Sequence, residues 1–413
     1  MLEKYGFEKL FNAGEKPPTV VVGMSGGVDS SVSAYILKWQ GYNVVGLFMQ
    51  NWEEQGDDGC CSSEADFEDV RRVAEVVDIP YYTVNFSKQY MELVFAQFLG
   101  GLEKGFTPNP DVLCNREIKF GPFLKYADKI GADYIATGHY ARVGRSGPDI
   151  GDATVLMKGL DPRKDQSYFL CGLSQGQLSR VIFPIGHLEK DVVRQIATEI
   201  GLVTADKKDS TGICFIGERK FRDFLKTYFG NQGGDIKTLG GEVVGRHIGL
   251  MYYTIGQRKG LGIGGRKLGG EEALDRWFVV RKDMESNTLY VNNGECEELF
   301  SDELVAVDFN FICAPRNAES HNVGSLCVTK NVGGALGAIG VYSETPRSFR
   351  CMAKTRYMQP DQACAVEVLV DGSVKVVFDE PQRAVTPGQW VVLYKGEICL
   401  GGGIISQTKR KGK

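Results

Sequence analysis

The order of hydrophobic and polar residues in the first half of the chain predicts alternating strands and helices. A β-branched apolar run at 19–24 predicts a strand, and apolar residues at every third or fourth position of 29–41 predict a helix that ends at Gly41. The alternation continues with strands predicted at 42–50, 80–86 and 133–140, and with helices predicted at 63–79, capped by Ser62 or Ser63, at 88–105 and near 117–130. Repeated βα units form a doubly wound parallel sheet, which binds ligands beyond the carboxyl ends of its strands.

The pattern changes after residue 220. A last helix is predicted at 221–230, and a glycine-rich stretch follows at 240–265. From 277 onward the chain consists of short β-branched segments separated by turn residues, with a hairpin signal, VDGS, at 370–373. We therefore expect three parts, an α/β domain at 1–220, a small central domain at 221–285 and an all-β, barrel-like domain at 286–413.

One glycine-rich loop follows the first predicted strand. The stretch GMSGGVDSS, at 23–31, has the glycines and the helix start that turn backbone N–H groups toward a phosphate. It lacks the lysine of G-x-x-x-x-G-K-[ST], and it does not fit the dinucleotide pattern G-x-G-x-x-G. A capped strand-to-helix turn would also explain its composition. The order S-G-G-x-D-S resembles the PP-loop of the ATP pyrophosphatases, which holds pyrophosphate while a substrate oxygen attacks the α-phosphorus.

Composition narrows the class of protein. The 413 residues are 43% hydrophobic and 24% charged, with a formal net charge of −4, which is typical of a soluble globular protein. Any nucleic-acid contact must therefore come from a local basic surface. The tail KRKGK at 409–413 is either such a contact or a solvated end. No apolar window reaches the length of a membrane span, and 1–16 lacks a signal sequence, so we expect a cytoplasmic protein without membrane contact.

Two of the eleven cysteines stand in segments suited to chemistry. Cys114 follows PNPDVL and precedes a helix predicted to begin near Asn115, a position that favours a thiolate, and Asp111 could act as a nearby acid or base. Cys214 lies in the polar loop at 209–221. No C-x-x-C occurs, so no metal site is expected. Seven others lie mostly in apolar runs and are expected to be small buried hydrophobes: Cys171, Cys296, Cys313, Cys327, Cys351, Cys364 and Cys399.

Motifs along nearly the whole chain share one resemblance. They read, in order, GMSGGVDSSV, NWEE, PNPDVLCNREIKF, GADYIATGHYAR, LDPRKDQSYFL, DSTGICFIGER, YYTIGQRKGLGIGG and KTRY. This series resembles the tRNA-specific 2-thiouridylase family, whose members thiolate the wobble uridine of certain tRNAs. Two features depart from the family pattern: Met358 stands where Arg often follows RY, and the region at 314–350 is longer than is common.

The resemblance implies a role for each matching residue. Cys214 would carry the incoming sulfur as a persulfide, and Cys114 would be the partner nucleophile. Asn109, Pro110 and Asp111 would contact the flipped target base. ATP would bind at Gly23, Met24, Ser25, Gly26, Gly27, Val28, Asp29 and Ser30, with Met49 and Gly138 lining the adenine pocket. The tRNA would contact Lys164, Asp165, Gln166, Arg356 and Tyr357, and both the central and the C-terminal domain.

The resemblance also implies the reaction and its partners. ATP, with Mg²⁺, would adenylate the uridine C2 oxygen so that AMP becomes the leaving group, and sulfur transfer would leave a Cys114–Cys214 disulfide. An iron–sulfur cluster in place of the persulfide stays open. The partners would be the anticodon stem-loop of tRNAs of the Lys, Glu and Gln type, and a cysteine desulfurase or sulfur relay protein acting on a monomer.

Two other classes of function remain as alternatives. A small-molecule amidotransferase or synthetase with the same loop would release pyrophosphate without RNA, but the chain has no amidase-like domain and has a β-rich C-terminal part. A non-catalytic RNA-binding or sulfur-carrier protein would have no use for an intact ATP loop.

Overall fold

A computed structural model describes residues 1–11, 16–52, 62–146, 153–209, 221–263, 267–268, 271–272, 276–313 and 347–410. The strands of its first part are β1 Thr19–Met24, β2 Asn43–Gln50, β3 Tyr81–Asn85, β4 Tyr134–Ala136, β5 Ala141–Arg145, β6 Thr154–Lys158 and β7 Val181–Ile182. A parallel sheet contains five of them in the order β3-β2-β1-β4-β7, as expected from the βα alternation.

Helices lie between these strands and continue past β7 toward the central part. They are α1 Val28–Gln40, α2 Ser62–Val77, α3 Ser87–Tyr90, α4 Ala96–Glu103, α5 Pro110–Cys114, α6 Pro122–Lys129, α7 Gln175–Leu178, α8 Lys190–Glu199 and α9 Phe221–Phe229. Short 3₁₀ turns lie at Leu2–Tyr5, Ser167–Leu170, Leu250–Tyr252 and Glu297–Leu299. One π-helical turn, Met91–Phe95, joins α3 to α4, so the predicted helix at 88–105 is present as one run with a local widening. No helix in the described ranges is long and apolar enough to cross a bilayer.

The helix predicted near 117–130 is wrong in its start and its continuity. Asn109 caps a helix that already begins at Pro110, because its side-chain oxygen accepts hydrogen bonds from the backbone N–H groups of Asp111 (3.1 Å) and Val112 (3.4 Å). A π-helical turn, Asn115–Lys119, follows α5, and α6 begins separately at Pro122. Cys114 therefore lies at the end of α5, and the helix N-terminus expected to favour its thiolate is not there.

The strand predicted at 133–140 is shorter than expected. Only Tyr134–Ala136 pairs in the parallel sheet, and β5 and β6 form a hairpin that pairs with a strand of the C-terminal barrel.

The central part contains a four-stranded sheet. Its strands are β8 Gly234–Thr238, β9 Val243–His247, β12 Trp277–Asp283 and β13 Thr288–Asn293. They follow the order β12-β13-β8-β9, in which β8 pairs in parallel with β13. The hairpin of β12 and β13 carries this sheet to Asn293, past residue 285, where the central domain was predicted to end. The domain boundaries themselves stay a prediction. A separate small hairpin consists of β10 Lys267–Leu268 and β11 Glu271–Glu272.

The C-terminal strands form a closed barrel, which confirms the predicted architecture. They are β14 Phe300–Phe311, β15 Arg347–Lys354, β16 Gln362–Val368, β17 Val374–Arg383, β18 Trp390–Lys395 and β19 Ile398–Lys409. They follow the order β14-β17-β16-β15-β18-β19, and β14 also pairs with β19, which removes the open edges. The hairpin signal at 370–373 is confirmed: Gly372 has φ +81°, and Leu369 N–H donates to the Ser373 carbonyl at 2.8 Å.

One buried apolar cluster joins the three parts. It contains Leu113 of α5, Phe224 of α9, Val279 of β12 and Trp390 of β18. The same cluster contains Cys114 and Met49 of β2, so side chains of the α/β part, the central sheet and the barrel share one continuous core.

Candidate functional site

The glycine-rich loop is folded back onto itself between β1 and α1. Gly23 and Met24 end β1, and Val28 begins α1. The Ser30 hydroxyl accepts from the Ser25 backbone N–H (3.1 Å) and donates to the Gly27 carbonyl (3.1 Å). These bonds fix the path of the chain and leave the start of α1 at the carboxyl edge of the sheet, where a helix favours an anion.

Two glycines of the site allow backbone to pack closely. Gly26 has φ +73°, and a Cβ atom there would lie 2.6 Å from the Asp66 carbonyl oxygen. A Cβ atom at Gly138 would lie 2.7 Å from both the carbonyl carbon of Asp29 and the backbone nitrogen of Ser30. The structure thus brings Gly138 against the loop, although it lies far away in sequence.

Met49 also lies at the loop. It is 8% exposed near the end of β2, and its Cε atom would be 3.3 Å from a Cβ atom placed at Gly23. Met49, Gly138 and the loop therefore share one edge of the sheet, and their nucleotide-binding role stays a prediction.

A lysine from a distant helix supplies the positive charge that the loop lacks. The Lys190 ammonium, on the first residue of α8, donates to both carboxylate oxygens of Asp29, each at 2.8 Å, and lies 2.8 Å from a carboxylate oxygen of Asp209. Its side chain is only 7% exposed. The Tyr140 hydroxyl donates to Asp29 at 2.7 Å, and burial, together with Asp29, raises the pKa of Tyr140. Asp29 is therefore held by two partners that the loop sequence does not reveal.

A second lysine contacts the loop backbone. The Lys207 ammonium donates to the Gly26 carbonyl (2.9 Å), to Asp66 (2.7 Å) and to Asp69 (2.5 Å). Burial lowers its pKa, but the hydrogen bonds to Asp66 and Asp69 outweigh burial, and the pKa of Lys207 is raised overall. Sequence reasoning missed Lys190 and Lys207 because no local signal distinguishes them from ordinary surface lysines.

Lys164, expected to contact tRNA, lies in the same charged network. Its ammonium donates to Asp209 at 2.7 Å, and Arg194 also contacts Asp209 at 3.0 Å. Burial would raise the pKa of Asp209, but hydrogen bonds from Lys164 and Lys190 lower it to about 2. Asp209 is therefore ionised and links Lys164 to the lysine that holds Asp29.

Asp165 and Gln166 are turned toward the protein. The Asp165 carboxylate is 8% exposed and accepts from the backbone N–H groups of Gly159 and Ser167, each at 3.0 Å. The Gln166 side-chain oxygen accepts from the Tyr140 backbone N–H at 2.9 Å. Both side chains thus fix the turn beside Lys164, and their contact with tRNA stays a prediction.

Arg356 and Tyr357 lie where the barrel meets the other two parts. Arg356 donates to the carbonyls of Ile255 (3.1 Å) and Ala384 (2.9 Å). The Tyr357 ring packs on Phe169 with their centroids 4.5 Å apart, and burial, with Asp165 nearby, raises the pKa of Tyr357 to about 12. The structure therefore brings the two residues next to the turn at 164–170.

The PNPD segment lies at the same junction. Thr107 N–H donates to the Pro387 carbonyl of the barrel (2.9 Å), and the Thr107 hydroxyl lies 3.5 Å from the Thr254 hydroxyl of the central part. Asn109, Pro110 and Asp111 then form the start of α5, which leads to Cys114. The predicted base-contacting residues and Cys114 are thus held by all three parts of the chain.

Cys114 is fully buried, and an oxygen atom of the next residue, Asn115, has no hydrogen-bond partner among the described residues. The Asn115 side chain is 3% exposed; its amide N–H donates to the Phe169 carbonyl at 2.9 Å, and its Oδ1 atom accepts no hydrogen bond from the described residues. A buried acceptor without a donor is costly and is commonly explained by function. Cys214 lies in 210–220, outside the described residues.

The described residues do not form a metal site of their own. They contain no group of three His, Cys, Asp or Glu side chains that could hold an ion. The loop carboxylate, Asp29, is already bound by Lys190 and Tyr140. The described side chains therefore give neither Mg²⁺ nor an iron–sulfur cluster a ligand set of its own.

Three family models match consecutive parts of the chain. The tRNA methyl transferase HUP domain matches residues 18–218, the tRNA methyl transferase PRC-barrel domain matches 222–293, and the aminomethyltransferase beta-barrel domain matches 340–405.

Curated relatives match nearly the full length. The tRNA-specific 2-thiouridylase MnmA of Listeria innocua serovar 6a is 52% identical over 394 residues, covering 95% of this chain and 96% of the relative. The tRNA-specific 2-thiouridylase MnmA 2 of Geobacillus kaustophilus is 54% identical over 396 residues, with coverages of 95% and 96%. The chain therefore belongs to the family of the tRNA-specific 2-thiouridylases MnmA, as its motifs predicted.

Proposed function

We propose that the chain is a tRNA sulfurtransferase that uses ATP to convert the wobble uridine of tRNA to 2-thiouridine. The observation that carries this proposal is that the PNPD segment and Cys114 lie where the α/β part contacts the central part and the barrel, in a chain that belongs to the MnmA family and has a PP-loop at the start of α1. The loop would bind ATP, and the RNA would contact the central part and the barrel.

The PP-loop would hold the pyrophosphate that leaves when ATP adenylates the substrate. Its backbone N–H groups and the start of α1 favour phosphate oxygens. Lys190 neutralises Asp29, and Lys207 contacts the loop carbonyl at Gly26, so a triphosphate would meet a compensated site. The uridine C2 oxygen would attack the α-phosphorus, releasing pyrophosphate and leaving AMP on the base.

A persulfide on Cys214 would then supply sulfur. In one route its outer sulfur attacks C2 and displaces AMP, and the Cys114 thiolate attacks the inner sulfur, which breaks the S–S bond and releases the thiolated base. In the other route Cys114 attacks first, and the hydrosulfide so released displaces AMP. Either route leaves a Cys114–Cys214 disulfide, which an external thiol must reduce before the next turnover. A cysteine desulfurase or a sulfur relay protein would reload Cys214.

Asn115 is suited to select uracil. Its unpartnered Oδ1 atom is a hydrogen-bond acceptor one residue from Cys114. Uracil carries an N3–H donor, whereas cytosine has an acceptor at N3, so this buried oxygen would favour uracil once the flipped base reached it. The base would have to leave its stack, which costs little in an anticodon loop that is already single-stranded.

The experiment is a thiolation assay with ATP, a sulfur donor and unmodified tRNA, read as 2-thiouridine by nucleoside mass spectrometry. Cys114→Ser and Cys214→Ser should each abolish the product and retain ATP binding. Cys296→Ser, at a half-buried thiol that immediately precedes the 3₁₀ turn Glu297–Leu299, should remain active. No product with a competent donor would refute the proposal. Pyrophosphate release that needs an amine and no RNA would favour a small-molecule synthetase.

A further inference from the structure

Two cysteines of the barrel face each other on neighbouring strands. Cys351 of β15 and Cys364 of β16 are direct partners in the antiparallel register, and their Sγ atoms are 3.8 Å apart. The Cys364 thiol also lies 3.5 Å from the Cys351 carbonyl. From the sequence, each had been expected to be a separate small hydrophobe, so the contact between them is a finding of the tertiary structure.

The backbone at this pair already suits a disulfide. Opposed residues of an antiparallel ladder have Cα atoms about 4.5 or 5.5 Å apart, depending on the type of pair. Both values fall inside the range of about 4.4–6.8 Å found across disulfides. Closing the bond thus requires side-chain rotation about χ1, with no change of strand register.

A disulfide between Cys351 and Cys364 would constrain the connection from β15 to β16. The chain between the two cysteines carries Arg356 and Tyr357, the predicted tRNA contacts, in the connection from β15 to β16. A disulfide would close the base of this hairpin and form a ring around that connection. The Thr355 hydroxyl and backbone N–H already donate to the Gln359 side-chain oxygen within it, at 2.9 and 2.7 Å.

We propose that Cys351 and Cys364 are a second redox-active dithiol, distinct from the predicted Cys114–Cys214 pair, which closes to a disulfide by exchange with small-molecule disulfides. Cys351 reacts first, because its side chain is half-buried whereas Cys364 is fully buried. Its thiolate attacks the small-molecule disulfide, forms a mixed disulfide and releases one thiol. Cys364 then attacks the Cys351 sulfur and releases the second thiol, so two protein thiols lose two electrons and two protons to the oxidant.

The environment of Cys351 sets the rate at which the disulfide forms, and the position of the bond in the barrel sets its effect on stability. The hydrogen bond with Cys364, together with burial, raises the pKa of Cys351, so exchange at neutral pH is slow. Once formed, the bond restricts the unfolded chain and stabilises the barrel. We expect the thermal midpoint of the oxidised protein to rise and amide exchange between 352 and 363 to slow.

The test uses the full reduced chain incubated under native conditions with oxidised glutathione. Acid quenching is followed by alkylation in denaturant and peptide mass spectrometry. We expect a crosslinked peptide joining Cys351 to Cys364, two hydrogens lighter than the reduced pair, whose appearance is accompanied by the rise in thermal midpoint. Reduction by dithiothreitol should restore both the peptides and the midpoint.

Matched variants separate the pair from single thiols. Cys351→Ser should abolish the crosslink and leave Cys364 reduced, with Cys351→Ala as the substitute if the serine variant does not fold. Cys296→Ser should leave the crosslink unchanged, because Cys296 is half-buried like Cys351 and has no thiol partner among the described residues. A mixed glutathione disulfide on Cys351 with Cys364 still alkylated, or a crosslink formed only in denaturant, would overturn the proposal. Because every measurement is made without ATP or tRNA, failure here leaves the proposed thiolation untouched.

Discussion

Replacing Lys190 by methionine tests whether the loop depends on a lysine that it does not contain. The substitution keeps the length and the apolar stem of the side chain and removes only the ammonium group. That group holds both oxygens of Asp29 and one of Asp209, each at 2.8 Å. In the variant, two carboxylates would lie close together at the start of α1 without their shared cation.

The structure sets the expected size of the effect. Removing one partner of a buried ion pair costs about 3–5 kcal/mol. Asp29 and Asp209 are 31% and 34% exposed, so water compensates part of this loss and we expect about 2–3 kcal/mol of destabilisation. A bound phosphate charge about 6 Å from an uncompensated carboxylate is repelled by about 3 kcal/mol at an effective dielectric of 20. ATP affinity should therefore fall roughly a hundredfold.

The assays are urea unfolding followed by circular dichroism, and ATP binding by calorimetry. We expect the urea midpoint of Lys190→Met to fall by about 1 M, and Lys190→Arg, which keeps the charge, to recover most of both losses. Lys4→Met is the matched control, because Lys4 forms an exposed ion pair with Glu199 at the other end of the same helix, and neither measurement should change. Wild-type ATP affinity and an unchanged midpoint in Lys190→Met would refute the reasoning.

Three further variants test other parts of the site. The pKa of Asp209 is lowered to about 2 from 3.8, so its charge stabilises the fold above pH 3.8, and that stabilisation is lost as the pH falls toward 2. In Asp209→Asn, the free energy of unfolding should therefore depend less on pH between 3.8 and 2 in an acid-unfolding titration; a pH dependence equal to that of the wild type would contradict the assignment. Gly26→Ala should lower the free energy of unfolding by about 1–3 kcal/mol and weaken ATP binding in calorimetry, because φ is +73° and the new Cβ atom would meet the Asp66 carbonyl. Gly100→Ala, which has open space around its Cβ position, should change neither the stability nor ATP binding. Asn115→Leu should reduce kcat/KM for tRNA with uridine at position 34 by about 10–100-fold. It should also reduce the preference of the enzyme for uridine over cytidine at that position, measured by competition between the two tRNAs. An unchanged preference would show that Asn115 does not select uracil.

Much of the α/β part could be predicted because its signals are local. The strand at 19–24 and the helix that begins at Val28 follow from residues adjacent in sequence, and the structure confirms both. The barrel hairpin at 370–373 was equally predictable, since its turn needs a glycine with positive φ. The error at Cys114 is also local: Asn109 followed by Pro110 is a helix start, whereas the predicted helix begins near Asn115.

The sequence by itself determined the glycine-rich loop at 23–31, the order of strands and helices around it and the motifs that identify the family, because each depends on neighbouring residues. The tertiary structure alone decided that Lys190 and Lys207 compensate the loop, that the Asn115 side-chain oxygen accepts no hydrogen bond from the described residues and that Cys351 faces Cys364. Hydrogen bonds, ion pairs and thiol contacts act over a few ångströms, whereas these partners are brought together by helix packing and strand register. Those distances are fixed only when the whole chain has folded.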